Sequence, residues 1–176
     1  YAYMCGHPGK KLLFMGQEFG QWNEWSEKRA LDWYLLEDDS HKELKDFTKA
    51  CLILNKKYRC LYETDYSPEG FRWINANDKD NSVFSFIRIS PDKKRHLLFV
   101  FNFTPVERPN HRIGVPVKGK YKLVLGDDMK NQKKTLTSVR GECDGYKESL
   151  LIDLHRYGIA VYEFNGDVNA HKPTNI

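Results

Sequence analysis

From Phe71 onward the chain alternates apolar and polar residues with a period of two. This pattern predicts strands over Phe71–Asn77, Val83–Ser90, His96–Thr104, Tyr121–Leu125, Ser149–His155 and Gly158–Phe164. Polar turn material separates them, notably Asn77-Asp78-Lys79-Asp80-Asn81, Ser90-Pro91-Asp92 and Gly126-Asp127-Asp128. Several short strands joined by such turns imply an antiparallel sandwich or barrel.

Ahead of that region the period changes. Leu44, Phe47, Cys51, Leu54 and Tyr58 recur at spacings of three and four, which predicts a helix from about Asp38 to Arg59 with one apolar stripe that must pack on something. Asp39 or Ser40 is suited to cap its start, and Lys56, Lys57 and Arg59 favour its carboxyl end. Earlier still, Leu12–Met15 is an unbroken apolar run between the Pro8-Gly9 turn and Gly16, the signature of a strand buried on both faces as in a parallel α/β sheet. A lone parallel strand cannot satisfy its backbone groups, so neighbouring strands are expected upstream. The chain opens on Tyr1, not methionine, and reads as a cut from a longer protein. Residues from Gly166 onward read as a frayed tail.

Composition narrows the chemistry. The net charge of +4 is spread over short basic runs with acids close by, which describes solvated faces and excludes a nucleic-acid stripe. Cys5, Cys51, Cys60 and Cys143 show no C-x-x-C spacing, and the histidines lack ligand spacing, so neither a zinc site nor any other metal or cofactor is expected. Dispersed cysteines suit the reduced thiols of a cytoplasmic protein. No apolar run approaches the roughly 20 residues that span a membrane. Asp78, Asp80, Asp127 and Asp128 are read as turn residues.

Three stretches carry a family resemblance. GHPGKKLLFMGQEFGQWNEW followed by ALDWYLLED, then LNKKYRCLYETDYSPEGFRWINANDKDNSVFSFIR, then FVFNFTPVERPNHRIGVPVKGKYK together resemble the bacterial 1,4-α-glucan branching enzymes of the α-amylase superfamily. The resemblance implies an α/β remnant plus an all-β domain. Residues 1–60 would hold the last strand and helix of a catalytic (β/α)8 barrel, residues 61–166 an antiparallel C-terminal β-sandwich, and residues 167–176 a tail. It further implies a parent that cuts α-1,4-glucan and transfers the segment to a 6-hydroxyl, making α-1,6 branches in glycogen. Its partner would be an α-glucan polymer such as glycogen or amylose, with no nucleic acid and no membrane.

In that family an Asp nucleophile, a Glu acid/base and a further Asp carry a retaining double displacement, which needs two carboxyl groups about 5–5.5 Å apart. No position here matches those motifs, so no catalytic residue is assigned and the fragment alone is expected to be inactive. Two other readings stay open, a non-catalytic glucan-binding module and a piece of a related debranching hydrolase. An unpaired barrel strand would also leave an edge for self-association.

Four residues are candidates for substrate contact. Glu18 would stand at the carboxyl end of the eighth barrel strand, the face that holds active sites, and is either a carboxylate bordering the cleft or a structural acceptor for nearby backbone N–H groups. Trp22 and Trp25 either stack on sugar rings or pack between barrel and β-domain. Trp33 is read as core. Trp73 shares a strand face with Phe71, opposite Arg72 and Ile74; the pattern leaves undecided which face is buried, and an open Trp73 would be a glucan platform away from the catalytic centre.

Overall fold

A short helix, α1 (Ala2–Gly6), and a long one, α2 (Asp39–Lys57), precede nine strands in the computed structural model, which describes residues 1–170. The strands are β1 (Phe71–Asp78), β2 (Val83–Arg88), β3 (His96–Asn102), β4 (Arg108–Val115), β5 (Lys120–Gly126), β6 (Thr135–Thr137), β7 (Val139–Cys143), β8 (Tyr146–Leu154) and β9 (Ile159–Phe164). They form a six-stranded sheet in the order β1-β2-β3-β9-β5-β6 and a three-stranded sheet in the order β4-β8-β7. Every strand pair is antiparallel.

The expected strands are present, with β8 beginning earlier than Ser149. Three others were not foreseen. β4 reads RPNHRIGV and buries only its last three residues, while β6 and β7 are short edge strands with little apolar content, so none carries a clear alternation.

The six-stranded sheet is covered on both faces. Ile74, Ile87, Leu98, Val100, Tyr121 and Tyr162 meet Ile113, Tyr146, Leu150 and Ile152 of the smaller sheet in one core. Phe86, Phe99, Phe101, Leu125 and Val161 meet Ala2, Cys5, Cys51, Leu54 and Tyr58 in the other. All seven residues of β3 are therefore buried. Its run HLLFVFN is the sequence trace of a central strand with two dry faces, as helices cover one side and a second sheet the other.

The predicted helical stripe faces this sheet. Cys51, Leu54 and Tyr58 are buried, whereas Leu52 and Ile53 on the other side are exposed. The cap is Asp38, not Asp39 or Ser40: its Oδ1 accepts from the Ser40 N–H at 2.8 Å. Past the helix end, the Tyr58 hydroxyl donates to Glu163 Oε2 at 2.5 Å, and Arg95 joins Glu163 at 3.1 Å. The first helix, unforeseen from sequence, presses so closely on the sheet that a Cβ at Gly6 would lie 2.6 Å from the Phe99 ring.

Two expectations are corrected. Leu12–Met15 forms no strand, and Leu12 and Met15 are 75% and 54% exposed. A parallel strand needs neighbours to hydrogen-bond, and none of the nine strands pairs with it. The run instead ends in a turn at Gly16, whose φ of 86° is readily adopted only by glycine, and a 3-10 turn over Gln17–Phe19. The tail is not frayed through its described part. Val168 is buried in the inter-sheet core, and the Arg72 guanidinium donates to the Val168 carbonyl at 2.7 Å and to Asn169 Oδ1 at 2.7 Å. Residues 171–176 of the expected tail lie outside the described residues.

Arg88, on β2, is fully buried. Its Nη1 donates to the Gly6 carbonyl at 2.6 Å, its Nη2 to Asp65 Oδ1 at 3.0 Å and its Nε to the Gly70 carbonyl at 3.3 Å. Asp65 Oδ2 also accepts from the Gly9 N–H at 3.1 Å. One cation thus ties the end of α1, the Pro8-Gly9 turn and the entry to β1 to the sheet. Arg88→Met deprives the buried Gly6 and Gly70 carbonyls and one oxygen of the half-buried Asp65 of their donor, and is expected to lower stability by about 3 kcal/mol, read from the urea midpoint; a loss no larger than that of an exposed arginine would contradict this role.

Histidine chemistry supplies a pH test. His96 is buried; its Nδ1 accepts from the Ser90 N–H at 3.1 Å and its Nε2 donates to the Gly166 carbonyl at 3.0 Å, so the neutral tautomer fits and protonation breaks the first bond. Burial holds its pKa below the ordinary 6.5, whereas the hydrogen bond to Asp127 raises that of His155 above it. The His96 contribution to stability is complete above pH 6.5 and is lost as pH falls through the folded-state value; the exposed His155 works weakly in the opposite sense. In a ¹⁵N titration His155 is expected to protonate first, with His96 still a neutral Nε2–H tautomer; the reverse order would refute the assignment.

Candidate functional site

Glu18, Trp22 and Trp25 belong to a loop that is built around Phe19. Phe19 is fully buried, and its carbonyl accepts from His41 Nδ1 on α2 at 2.7 Å. A polar ring closes the loop: Gln21 Oε1 accepts from the Asp32 N–H at 2.8 Å, and Asn23 Nδ2 donates to Asp32 Oδ2 at 2.8 Å. Short polar side chains that bond nearby backbone are what such a turn requires.

With Phe19 inside, the tryptophans face out. Trp22 is 77% exposed and meets the His41 ring edge-on at 5.3 Å; Trp25 meets Phe14 edge-on at 5.2 Å. Together they line an open hollow of about 450 Å³ with Phe14, Met15 and Gln21. Glu18 stands beside it, half-buried, with Oε2 accepting from the Gly16 N–H at 3.1 Å. That bond is the structural use of this carboxylate. Trp33, read as core, is 52% exposed and lies against Phe19 at 5.2 Å, so only one side of its ring is covered.

Trp73 sits elsewhere, and the fold decides its face. Register places Trp73 beside Phe86, Phe86 beside Phe99, and Phe99 beside Val161, one row across the helix-covered side of the sheet. The inner members lie under α1 and α2. Trp73 is on the edge strand, where that cover ends, and stays 37% exposed. Its ring is wedged by Phe71 at 5.2 Å, Phe86 at 5.5 Å and His7 at 6.0 Å, so it is held as a fixed plane.

Tyr3, Ala76, Phe84 and Phe103 complete a hollow of about 340 Å³ beside Trp73, with Tyr3 and Phe103 ring centroids 5.9 Å apart. No charged side chain lines it. Such a surface offers flat apolar planes and no acid–base chemistry. Sequence reasoning missed Tyr3, Phe84 and Phe103; Phe103 stood in view in the Asn-Phe-Thr-Pro-Val element, but nothing local indicated that it would meet the first helix.

Other groups are chemically quiet. Burial pushes the Cys51 and Cys60 thiols up to about 12 and Cys143 to about 11, so at neutral pH they are protonated and poor nucleophiles. Among the described residues no group of three or more His, Cys, Asp or Glu side chains could hold a metal ion. No helix of the described residues is long and apolar enough to cross a membrane.

Comparison with known proteins assigns the sheet-rich part. Residues 73–165 match the model of the alpha amylase C-terminal all-beta domain. The chain belongs to this family. Its two antiparallel sheets are thus an alpha amylase C-terminal all-beta domain, with Trp73 at the first matched position.

Sequence relatives extend the match towards the amino end. A 1,4-alpha-glucan branching enzyme GlgB of Butyrivibrio fibrisolvens is 46% identical over 93% of this chain and 27% of its own length. The GlgB of Aquifex aeolicus is 45% identical over 74% of this chain and 21% of its own length, and that of Bacillus cereus 37% identical over 92% and 26%. The expected kinship with bacterial branching enzymes is borne out, and the chain corresponds to their C-terminal part. It spans about a quarter of the length of these relatives.

Proposed function

We propose that this chain is the closing part of a glycogen branching enzyme. The parent cleaves α-1,4-glucan and transfers the released segment to a 6-hydroxyl, creating α-1,6 branches. Residues 1–60 end its catalytic (β/α)8 barrel, residues 61–166 are its C-terminal β-sandwich, and the site of action is the cytoplasm.

The observation that carries this reading is the one-sidedness of the first sixty residues. α2 seals one side against the β-domain, while Leu52 and Ile53 on its other side, and Leu12, Phe14 and Met15 ahead of it, leave apolar surface open. Apolar surface of that kind requires a cover. The rest of the barrel supplies it in the parent, and there Leu12–Met15 gains the parallel neighbours that turn it into a strand. In the isolated chain the same surface favours self-association. Glu18, Trp22 and Trp25 then border the substrate cleft, with Glu18 holding its loop through Gly16 and the catalytic carboxylates on earlier strands.

Trp73 favours a second role, as a platform for α-glucan. A pyranose ring has apolar C–H faces that stack on an indole, and the hollow beside Trp73 is uncharged and aromatic. The isolated chain is expected to leave the iodine colour of amylose unchanged; a fall in colour through branching would overturn the assignment of catalysis to the missing part. Maltoheptaose is expected to bind the isolated chain saturably in a calorimetric titration, and Trp73→Ala to weaken binding about tenfold. Unaltered binding in that variant would remove the platform.

A further inference from the structure

We infer that the Trp73 platform is one end of a longer groove, whose other end is a second glucan subsite formed by Tyr157 and Asp127. The inference rests on the glucan reading of Trp73. A second cleft, of about 370 Å³, is lined by Tyr1, Tyr3, Phe47, Phe103, Asp127 and Tyr157 among others. Tyr3 and Phe103 also line the Trp73 hollow, so the two cavities share a wall of rings and follow one another along the surface.

Tyr157 is held in an unusual way. It lies in the turn between β8 and β9 with φ of 49°, a left-handed conformation that is costly for a bulky side chain, and its ring is 69% exposed. Burial therefore does not explain it. The backbone around it is nonetheless pinned: the Tyr157 N–H donates to the Thr104 carbonyl at 2.9 Å, the Asn102 N–H to the Gly158 carbonyl at 3.0 Å, and Asn102 Nδ2 to the His155 carbonyl at 2.8 Å. A strained, rigid backbone that presents an open aromatic ring is a ligand-contact arrangement.

Asp127 adds the polar half. Its Oδ1 accepts from the Ile159 N–H at 2.8 Å and from Gln132 Nε2 at 3.1 Å, and its Oδ2 from His155 Nδ1 at 2.7 Å. A carboxylate has about four acceptor positions, so with three bonds made Asp127, a lining residue of the cleft, keeps one to offer a hydroxyl. Rings that present flat faces, joined to a fixed acceptor, match a chain of pyranoses with apolar faces and hydroxyl edges.

The test is an NMR titration of the 176-residue chain with maltoheptaose, following the Tyr157 and Gly158 amides and the Trp73 indole N–H, with Tyr157→Gly as the variant. Glycine suits the left-handed turn, so this variant is expected to melt no lower than the parent chain while binding about fivefold more weakly. In the parent chain all three reporters are expected to move along one isotherm. A Trp73 response with silent 157–158 amides, or unchanged affinity in Tyr157→Gly, would end the groove at Phe103 and overturn the inference while leaving the platform intact. Silence of all three would reject the glucan reading as well. A polyproline peptide that moves the 157–158 amides where maltoheptaose does not would assign the cleft to a peptide and overturn the inference.

Discussion

Arg88 is the point on which the helical and sheet layers depend. Its guanidinium is fully buried on β2 and bonded to two carbonyls and one carboxylate from two distant stretches of chain, the end of α1 and the segment Asp65–Gly70. A buried arginine cannot shed its charge, and an unpaired one is costly, so the arrangement has little freedom to slide. It fixes where α1 ends relative to the sheet. Gly6, whose carbonyl Arg88 holds, is the residue that lets α1 approach the Phe99 ring. The cation and the close contact thus support one geometry.

That geometry places the aromatic surface. α1 and the residue that ends it carry Tyr3 and His7 to the edge of the helix-covered face, where they meet Phe86 and Trp73 of the row that begins at Trp73. The interior of the row is dry and packed ring on ring, with Phe86 and Phe99 stacked at 5.0 Å. Only its margin is open. The exposed rings therefore rest on a rigid layer, and a ligand that stacks on them has little ordering to impose.

The β-domain was largely legible because its strands follow one rule, alternation, with local turns. Where the rule was weak, as in β4, β6 and β7, edge exposure had removed the apolar half of the pattern. The candidate site was legible only in part. Trp22 and Trp25 are open to solvent on their loop, whereas Trp33 was misjudged, because a tryptophan that half-covers Phe19 reads the same in sequence as one inside a core. The strand expected at Leu12–Met15 followed from composition, yet a strand exists only when another pairs with it, and none of the described strands does.

The sequence by itself determined the antiparallel β-architecture, the amphipathic stripe of α2 and the kinship with branching enzymes, since each is written in spacing or in contiguous motifs. Tertiary structure alone decided which face of β1 is open, that Arg88 is a buried node, and that Tyr3, Phe103 and Tyr157 stand together. The last three are separated from one another by roughly 50 to 150 positions. Their meeting depends on strand order and on the seating of a five-residue helix, which are set by long-range packing and leave no trace in local periodicity.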